Sequence, residues 1–131
     1  MNKPLDTYRN VGLRASVETA SPHQLITMLL QGALEAIAKS VGAIERKNIE
    51  ERTKQINKAT GIVLELRACL DEDKGGEIAA NLANLYTYIT QLLFQANRAN
   101  DPQKLEEAKT LLLEILEGWA EIPPEYQQQA V

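Results

Sequence analysis

The side chains that most often carry catalysis or bind metals are scarce in this sequence and lie far apart. It contains one histidine, His23, and one cysteine, Cys69. A zinc site needs a cluster of cysteine and histidine ligands, and a di-iron helical bundle needs a Glu-x-x-His motif on each of two helices, but neither pattern occurs. The sequence also lacks a glycine-rich phosphate loop and a nucleophile–base pair. We therefore expect a binding protein rather than an enzyme, with no cofactor and no metal.

The two isolated residues have simpler interpretations. His23 follows Pro22 in the first turn of a predicted helix, so we interpret it as an exposed polar residue beside a helix cap. A phosphotransfer bundle would instead present its histidine in the middle of a helix. Cys69 lies near the end of the next predicted helix and off its main apolar stripe, which favours packing over redox chemistry.

Composition narrows the class of protein. The chain has 131 residues, which is the usual size of one domain, and its 44% hydrophobic and 24% charged residues are typical of a globular fold. A net charge of −4 does not favour nucleic acid or an anionic membrane surface as a partner. The single cysteine fits a reducing compartment, and the first ten residues lack the apolar run of a signal peptide. These features predict a cytoplasmic protein.

Start and stop signals divide the chain into helices. Ser21 precedes Pro22 and is followed by Gln24, which predicts an N-cap with a capping box. Asn48 and Glu51 repeat the same spacing. The remaining signals are the pairs Gly75-Gly76, Asp101-Pro102 and Pro123-Pro124.

The expected fold is all-α, an antiparallel four-helix bundle with a short N-terminal helical segment, in a single domain over residues 1–131. Its expected parts are a mobile N-terminal lid segment (1–20), four bundle helices (21–47, 48–71, 76–99 and 101–121) and a polar tail (122–131). At ~1.5 Å per residue the four helices span about 30–37 Å each, so they match in length.

Each predicted helix carries an apolar stripe at three- and four-residue spacing. The stripes are Ile26, Leu30, Ala33, Ile37, Val41 and Ile44; Ile56, Ala59, Val63, Leu66 and Leu70; Ile78, Leu82, Leu85, Ile89, Leu92 and Ala96; and Leu105, Ala108, Leu112, Ile115 and Trp119. In the first helix, Leu25 and Leu29 widen the apolar arc beyond what one stripe needs.

The third helix is unusual because twenty consecutive residues between Glu77 and Arg98 carry no charge. Several Asn and Gln residues in this stretch argue against a membrane span. Tyr86 and Tyr88 lie at the edges of the apolar stripe. On the far side, where Lys and Glu are expected, the sequence has Ala80, Ala83, Thr87 and Phe94. Two interpretations stay open: this helix is the most buried of the four, or its uncharged face docks another chain.

The N-terminal segment is a candidate cover for such a face. Leu5 and Tyr8, with apolar residues after them, form one or two amphipathic turns before Gly12 interrupts the pattern. The segment is either a frayed terminus or a plug that fills an apolar groove and leaves when a partner arrives.

Three stretches together resemble the flagellin export chaperone family, FliS. The stretch "ETASPHQLITMLLQGAL" is similar to the family's first-helix signature, and "GGEIAANLANLYTYI" to its third-helix signature. Tyr8 falls where the family has an N-terminal tyrosine, while "QANRANDPQKL" and Trp119 match the family in the last two helices. The chain departs from the family pattern at Leu30, where an aromatic is usual, and at Thr87, where an acidic residue is usual.

The resemblance implies a small helical bundle of the bacterial cytosol that binds the disordered C-terminal segment of flagellin 1:1. Binding would prevent premature polymerisation and keep flagellin competent for secretion, and the N-terminal segment would occupy part of the groove in the free chaperone. An anti-sigma factor and a component of the export gate are further partners that the resemblance allows.

We expect six residues to form or gate the partner-binding surface: Leu5, Tyr8, Leu25, Leu29, Tyr86 and Phe94. The alternative function is a structural bundle that associates with itself through the uncharged third-helix face. A self-associating bundle would be a concentration-dependent dimer when alone, whereas a chaperone would form a heterodimer with flagellin.

Overall fold

The computed structural model describes residues 21–121, which form four α-helices. They are α1 (Pro22–Glu45), α2 (Ile49–Ala68), α3 (Glu72–Ala99) and α4 (Pro102–Ala120). Only two or three residues connect consecutive helices, so each helix runs antiparallel to the next. α1 also packs against α4, which closes the four helices into a ring around one core. The predicted all-α four-helix bundle is confirmed.

The helix starts follow local sequence signals. Ser21 is the N-cap of α1: its Oγ accepts a hydrogen bond from the Gln24 backbone N–H at 3.1 Å, and the Gln24 side chain accepts one from the Ser21 N–H at 2.8 Å. This is the predicted capping box. Asn48 caps α2 as predicted, but Glu51 does not complete a box, because its carboxylate accepts from the Gln55 side chain at 2.7 Å instead.

The start of α3 differs from the prediction. We expected the pair Gly75-Gly76 to separate the helices, but α3 begins earlier, after the N-cap Asp71, and is kinked at Gly76. The backbone of Gly76 has φ 54° and ψ −132°, a conformation that is essentially restricted to glycine. A Cβ on Gly75 would lie 2.7 Å from the Cβ of Ala79. The two glycines therefore allow a tight bend, and the Asp71 side chain caps the segment before it by accepting from the backbone N–H groups of Asp73 and Lys74.

The core is continuous through all four helices. Its largest fully buried apolar side chains are Leu30, Ile37, Ile56, Val63, Leu66, Ile89, Leu92, Leu93, Leu105 and Leu112. The predicted stripes of the first, second and fourth helices are confirmed, since every member is buried or half-buried.

Small residues bring α1 and α2 close together. Gly32, Ala36, Ser40 and Ala43 follow one side of α1, and a Cβ on Gly32 would lie 3.5 Å from the Cδ1 of Ile62. The buried Ser40 hydroxyl donates to the Ala36 carbonyl at 2.9 Å, so it needs no partner on α2. Leu25 and Leu29 are also buried, so the wide apolar arc of the first helix is not an open surface in this structure.

The predicted stripe of the third helix is wrong at its first member. Ile78 is 70% exposed, whereas Ala83, which we placed on the far side, is only 5% exposed. The helix turns a different side to its neighbours at this end: Ala79, Ala83 and Tyr86 are buried. The small side chains at 79 and 83 let the backbone of α3 come close to α2, and this leaves Ile78 outside the core.

The two ends of the described chain are joined by a pair of aromatic rings. The His23 Nε2 atom lies 2.9 Å from the Trp119 carbonyl oxygen, and the Trp119 Nε1 donates to the His23 carbonyl at 3.0 Å. The rings stack with centroids 4.7 Å apart. Our expectation that His23 is simply exposed is therefore wrong, because it is partly buried by contact with the last turn of α4.

Among the described helices, α1 alone is long and apolar enough to span a membrane by composition. Its apolar side chains instead form a large share of the bundle core.

Candidate protein-binding surfaces

The uncharged stretch of α3, residues 78–97, is neither fully buried nor covered by charged side chains. Its solvent-facing residues between the two charged ends include four amides and a tyrosine: Asn81, Asn84, Tyr88, Gln91 and Gln95. Amide side chains can exchange hydrogen bonds with a partner, and they cost less to remove from water than Lys or Glu. This face is therefore suited to contact with another chain.

The first candidate surface is the α2–α3 groove. Its floor consists of Asn57, Thr60, Gly61 and Leu64 on α2 and Ala83, Thr87, Thr90 and Phe94 on α3. Contacts between the helices at both ends place these residues opposite one another: Arg67 Nε donates to the Thr87 hydroxyl at 3.0 Å, and the Thr53 hydroxyl donates to the Asn97 Oδ1 at 3.2 Å. Two large apolar side chains are left open, Leu64 at 52% exposed and Phe94 at 65%.

The threonine hydroxyls of the groove already have hydrogen-bond partners within their own helices. The hydroxyls of Thr60, Thr87 and Thr90 donate to carbonyls within their own helices at 2.7 to 3.0 Å. None of them needs a polar group on a partner, so an apolar side chain can lie across the floor without leaving a buried hydroxyl unpaired.

Hydrogen bonds hold the two walls of the groove at a fixed spacing. Near the start of α2, Arg52 donates to the side-chain oxygens of Asn97 at 3.1 Å and Asn100 at 2.7 Å. At the other end, Arg67 Nε also approaches the Ala83 carbonyl at 3.3 Å. Because both ends are tied, the groove is formed before any partner binds.

The second candidate surface is the α3–α4 row. It consists of Ile78, Leu82 and Leu85 on α3 and Leu111 and Ile115 on α4. The four residues other than Ile78 are half-buried against the core. The row ends at a hydrogen bond between Tyr88 and Glu107.

That hydrogen bond joins the Tyr88 hydroxyl to the Glu107 carboxylate at 2.5 Å. It raises the pKa of Tyr88, because the phenol must stay protonated to donate. Glu77 and Glu114 lie exposed beside the same row, so its border is acidic.

The predicted site residues fall into three groups. Leu25, Leu29 and Tyr86 are buried, at 3%, 7% and 3% exposed, so none of them lies open for a partner in this structure. Phe94 is exposed and lies in the α2–α3 groove. The other two predicted residues, Leu5 and Tyr8, lie outside the described residues.

On these two surfaces the sequence reasoning also missed the exposure of Leu64 and Ile78. Leu64 is off the stripe of its helix, at a position where a solvated helix usually has a polar residue, so its exposure was detectable. The exposure of Ile78 was not detectable from the sequence, because Ile78 falls on the apolar stripe predicted for the core.

Buried ionisable groups near this region are poor candidates for chemistry. Burial, with the nearby Glu65 carboxylate, raises the pKa of Cys69 to about 11, so its thiol stays protonated at neutral pH. Burial is also the main cause that raises the pKa of Tyr86. Within residues 21–121, no group of three His, Cys, Asp or Glu side chains could hold a metal ion.

Comparison with known proteins identifies the family. The family model for the flagellar protein FliS matches residues 4–126. The flagellar secretion chaperone FliSB of Pseudomonas aeruginosa is 45% identical over 89% of this chain and 93% of its own. The flagellar secretion chaperones FliS of Salmonella typhimurium and Vibrio cholerae are 41% and 37% identical, over 92% and 96% of this chain and 90% and 93% of their own. The resemblance noted in the sequence is confirmed, and the chain belongs to the FliS family of flagellar proteins.

Proposed function

We propose that this protein is a cytoplasmic export chaperone that binds the disordered C-terminal segment of flagellin 1:1 and is not an enzyme. Binding would keep flagellin from polymerising before secretion. The observation that carries the proposal is the surface of α3 between Glu77 and Arg98, which combines an exposed Phe94 with a solvent face that has no charge. Family membership supports a substrate of the flagellar export system.

The energetics fit a reversible chaperone. The ordering of a disordered segment on binding costs on the order of 2–5 kcal/mol of the gross interaction free energy. Burying a fully exposed Phe side chain contributes roughly 1.5–3 kcal/mol, so Phe94 and Leu64 together offset much of that cost. Amides around them add hydrogen bonds without placing an unpaired charge beneath the client.

The buried residues of the expected site have an indirect role in this proposal. Leu29 and Tyr86 belong to the hydrophobic core and Leu25 is also buried, so in this proposal they support the surface rather than touch the client.

We also propose that the N-terminal segment covers the α3–α4 row until flagellin arrives. Residues 1–20 contain Lys3, Arg9 and Arg14 against the two acids Asp6 and Glu18. This positive balance complements the acidic border of the row, and Leu5 and Tyr8 supply apolar side chains that match its half-buried leucines. Deleting residues 1–15 should tighten flagellin binding, because the row is then open to a part of the flagellin segment that extends beyond the α2–α3 groove. Unchanged affinity would contradict the lid.

Titration calorimetry with the C-terminal segment of flagellin from the same organism tests the function. We expect 1:1 binding with a negative heat-capacity change, because apolar surface is buried as the client folds. Phe94→Asp should weaken binding at least tenfold. The matched control is Leu113→Asp, since Leu113 is also exposed but lies on the side of α4 away from α3. Absence of binding by the wild type would refute the proposed function, whereas equal affinity for a folded Phe94→Asp variant would refute only the placement of the binding surface at Phe94.

Sedimentation of the protein alone separates this function from self-association through the α3 face. A dimer that forms with rising concentration and does not take up flagellin would favour the structural alternative. Family membership also makes an anti-sigma factor and an export-gate component candidate partners, which the same titration can test.

A further inference from the structure

A cavity lies at the end of the bundle where the α1–α2 turn meets the α3–α4 turn. Its volume is about 310 Å³, and it is partly open to solvent. It is lined by seven residues: Ala43, Ile44, Lys47, Asn48, Ile49, Arg52 and Asn100. None of them belongs to the floor of the α2–α3 groove or to the α3–α4 row, so the cavity is a separate feature of the surface.

The polar side chains that line this cavity have hydrogen-bond donors to spare. The Asn48 side-chain oxygen already accepts from the Glu51 backbone N–H at 3.0 Å, and the Asn100 side-chain oxygen accepts from Arg52 at 2.7 Å. The amide nitrogens of both asparagines remain to donate, together with the Lys47 ammonium and the Arg52 Nη2 atom. A set of donors that includes two cations is suited to an anion.

The positive charge at the cavity is not neutralised by its surroundings. None of the described residues that line it is acidic, and within residues 21–121 neither Lys47 nor Arg52 forms an ion pair. Four acids are close in sequence but lie outside the lining: Glu45, Glu50, Glu51 and Asp101. Of these, Glu51 accepts from the Gln55 side chain at 2.7 Å, and Asp101 caps α4.

Lys47 occupies a backbone position where glycine is usual. α1 ends in a Schellman motif: the Lys47 N–H donates to the Ile44 carbonyl at 3.0 Å, and the Asn48 N–H donates to the Ala43 carbonyl at 2.8 Å. The motif requires a left-handed residue, and Lys47 has φ 57°. Glycine adopts this conformation without steric cost, whereas the Cβ of lysine is strained there. The lysine therefore lowers the stability of the turn while it places a cation at the cavity.

We infer that this cavity binds an acidic segment of a protein partner other than flagellin, in which a carboxylate side chain lies next to an apolar one. The carboxylate contacts Lys47 and Arg52, and the apolar side chain packs on Ile44 and Ile49, of which Ile49 is 65% exposed. A partly open cavity suits a side chain of a peptide better than a small molecule, which a pocket usually encloses. The N-terminal segment of this chain is unsuited to the cavity, because its basic residues outnumber its acidic ones.

An NMR titration of the full chain, resolved by residue, tests the site. The probe is a short peptide of alternating leucine and glutamate residues with blocked ends, and the control peptide has glutamine in place of glutamate. The glutamate peptide should shift the signals of residues 43–52 and of the Asn100 side chain, and it should bind at least fivefold more tightly than the control. That difference should shrink when salt is raised from about 50 mM to about 500 mM. No binding at millimolar peptide, equal affinity of the two peptides, or shifts confined to the α2–α3 groove would overturn the inference.

Substitutions at Lys47 separate the charge from the backbone strain. Lys47→Gly should raise the melting temperature by a few degrees, because the strain is relieved, and should weaken binding of the glutamate peptide at least fivefold. Lys47→Gln should weaken binding by a similar factor without raising the melting temperature, and Lys47→Arg should bind like the wild type. The control is Lys39→Gln, which removes a cation of α1 that is paired with Glu35 and should leave affinity unchanged. Wild-type affinity in Lys47→Gln would overturn the inference.

Titration of the same variants with the flagellin segment distinguishes this site from the proposed function. Each Lys47 variant should bind flagellin like the wild type. A parallel loss of affinity for flagellin and for the glutamate peptide would overturn the inference, because the cavity would then belong to the flagellin-binding surface. If the wild type binds the glutamate peptide but not flagellin, the proposed function fails and the inference stands.

Discussion

The contact between His23 and Trp119 allows a quantitative prediction, because its two hydrogen bonds and its ring stacking can be removed separately. Each ring forms a hydrogen bond to the backbone carbonyl of the other residue, and the two rings stack. Trp119→Leu removes the indole N–H and the aromatic ring but keeps an apolar side chain in the core. His23→Ala removes the imidazole and its hydrogen bond. Either substitution keeps the backbone carbonyl of the substituted residue, so the hydrogen bond from the side chain of the other residue stays in place.

The magnitudes follow from this geometry. Each hydrogen bond contributes about 1 kcal/mol. Trp119→Leu also loses part of the burial of a large ring, so its total cost should be about 2–3 kcal/mol. His23→Ala should cost about 1–2 kcal/mol. Only the stacking is lost in both single variants, so the coupling energy in a double-mutant cycle should be about 0.5–1.5 kcal/mol.

Urea unfolding followed by far-ultraviolet circular dichroism measures the free energy of unfolding of the wild type, the two single variants and the double variant. Fluorescence is unsuitable, because Trp119 is the only tryptophan. For about 100 ordered residues, 1 kcal/mol corresponds to roughly 5 °C, so Trp119→Leu should also lower the melting temperature by roughly 10 °C. A coupling energy below about 0.3 kcal/mol would mean that the stacked rings contribute nothing, and one well above 2 kcal/mol would mean that the hydrogen bonds depend on each other.

Three further predictions follow from single positions. Gly76→Ala should lower the free energy of unfolding by about 1–3 kcal/mol, because Gly76 has a positive φ. The control Gly118→Ala should raise it by about 0.5–1 kcal/mol, since a Cβ there meets no neighbour. Equal effects of the two substitutions in urea unfolding would contradict the kink at Gly76. At pH 8 the thiol of Cys69 should react with a disulfide reagent about 100-fold more slowly in the folded protein than in the unfolded chain, and equal rates would contradict its burial. Because folding raises this pKa from 9.0 to about 11, the thiol's contribution to stability is complete below pH 9 and is lost as the pH rises toward 11, and Cys69→Ala should reduce that decline.

Features that depend on neighbouring residues in the sequence were predictable. The capping box of Ser21 and the N-cap of Asn48 follow from side chains that bond to backbone groups three residues away. The apolar stripes of three helices were also readable, since a stripe needs only the helical period. Phe94 could be identified as an exposed apolar residue because the residues around it lack charge.

Features that depend on how closely two helices approach were not predictable. An apolar arc does not reveal whether a neighbouring helix or a partner covers its edge. Leu25 and Leu29 are buried although they lie beside the core stripe, and Ile78 is exposed because α3 turns Ala79 and Ala83 toward its neighbour. The contact of His23 with Trp119 joins residues 96 positions apart, which no local pattern encodes.

This separation has a consequence for the order of folding. The seams between consecutive helices close across turns of a few residues, but the α1–α4 seam at His23 closes a loop of 96 residues. Loop-closure entropy makes that step roughly 3 kcal/mol less favourable than closing a turn of about four residues. The helical hairpins should therefore form first and the α1–α4 seam last. On unfolding, the bundle should open from the end where His23 and Trp119 meet.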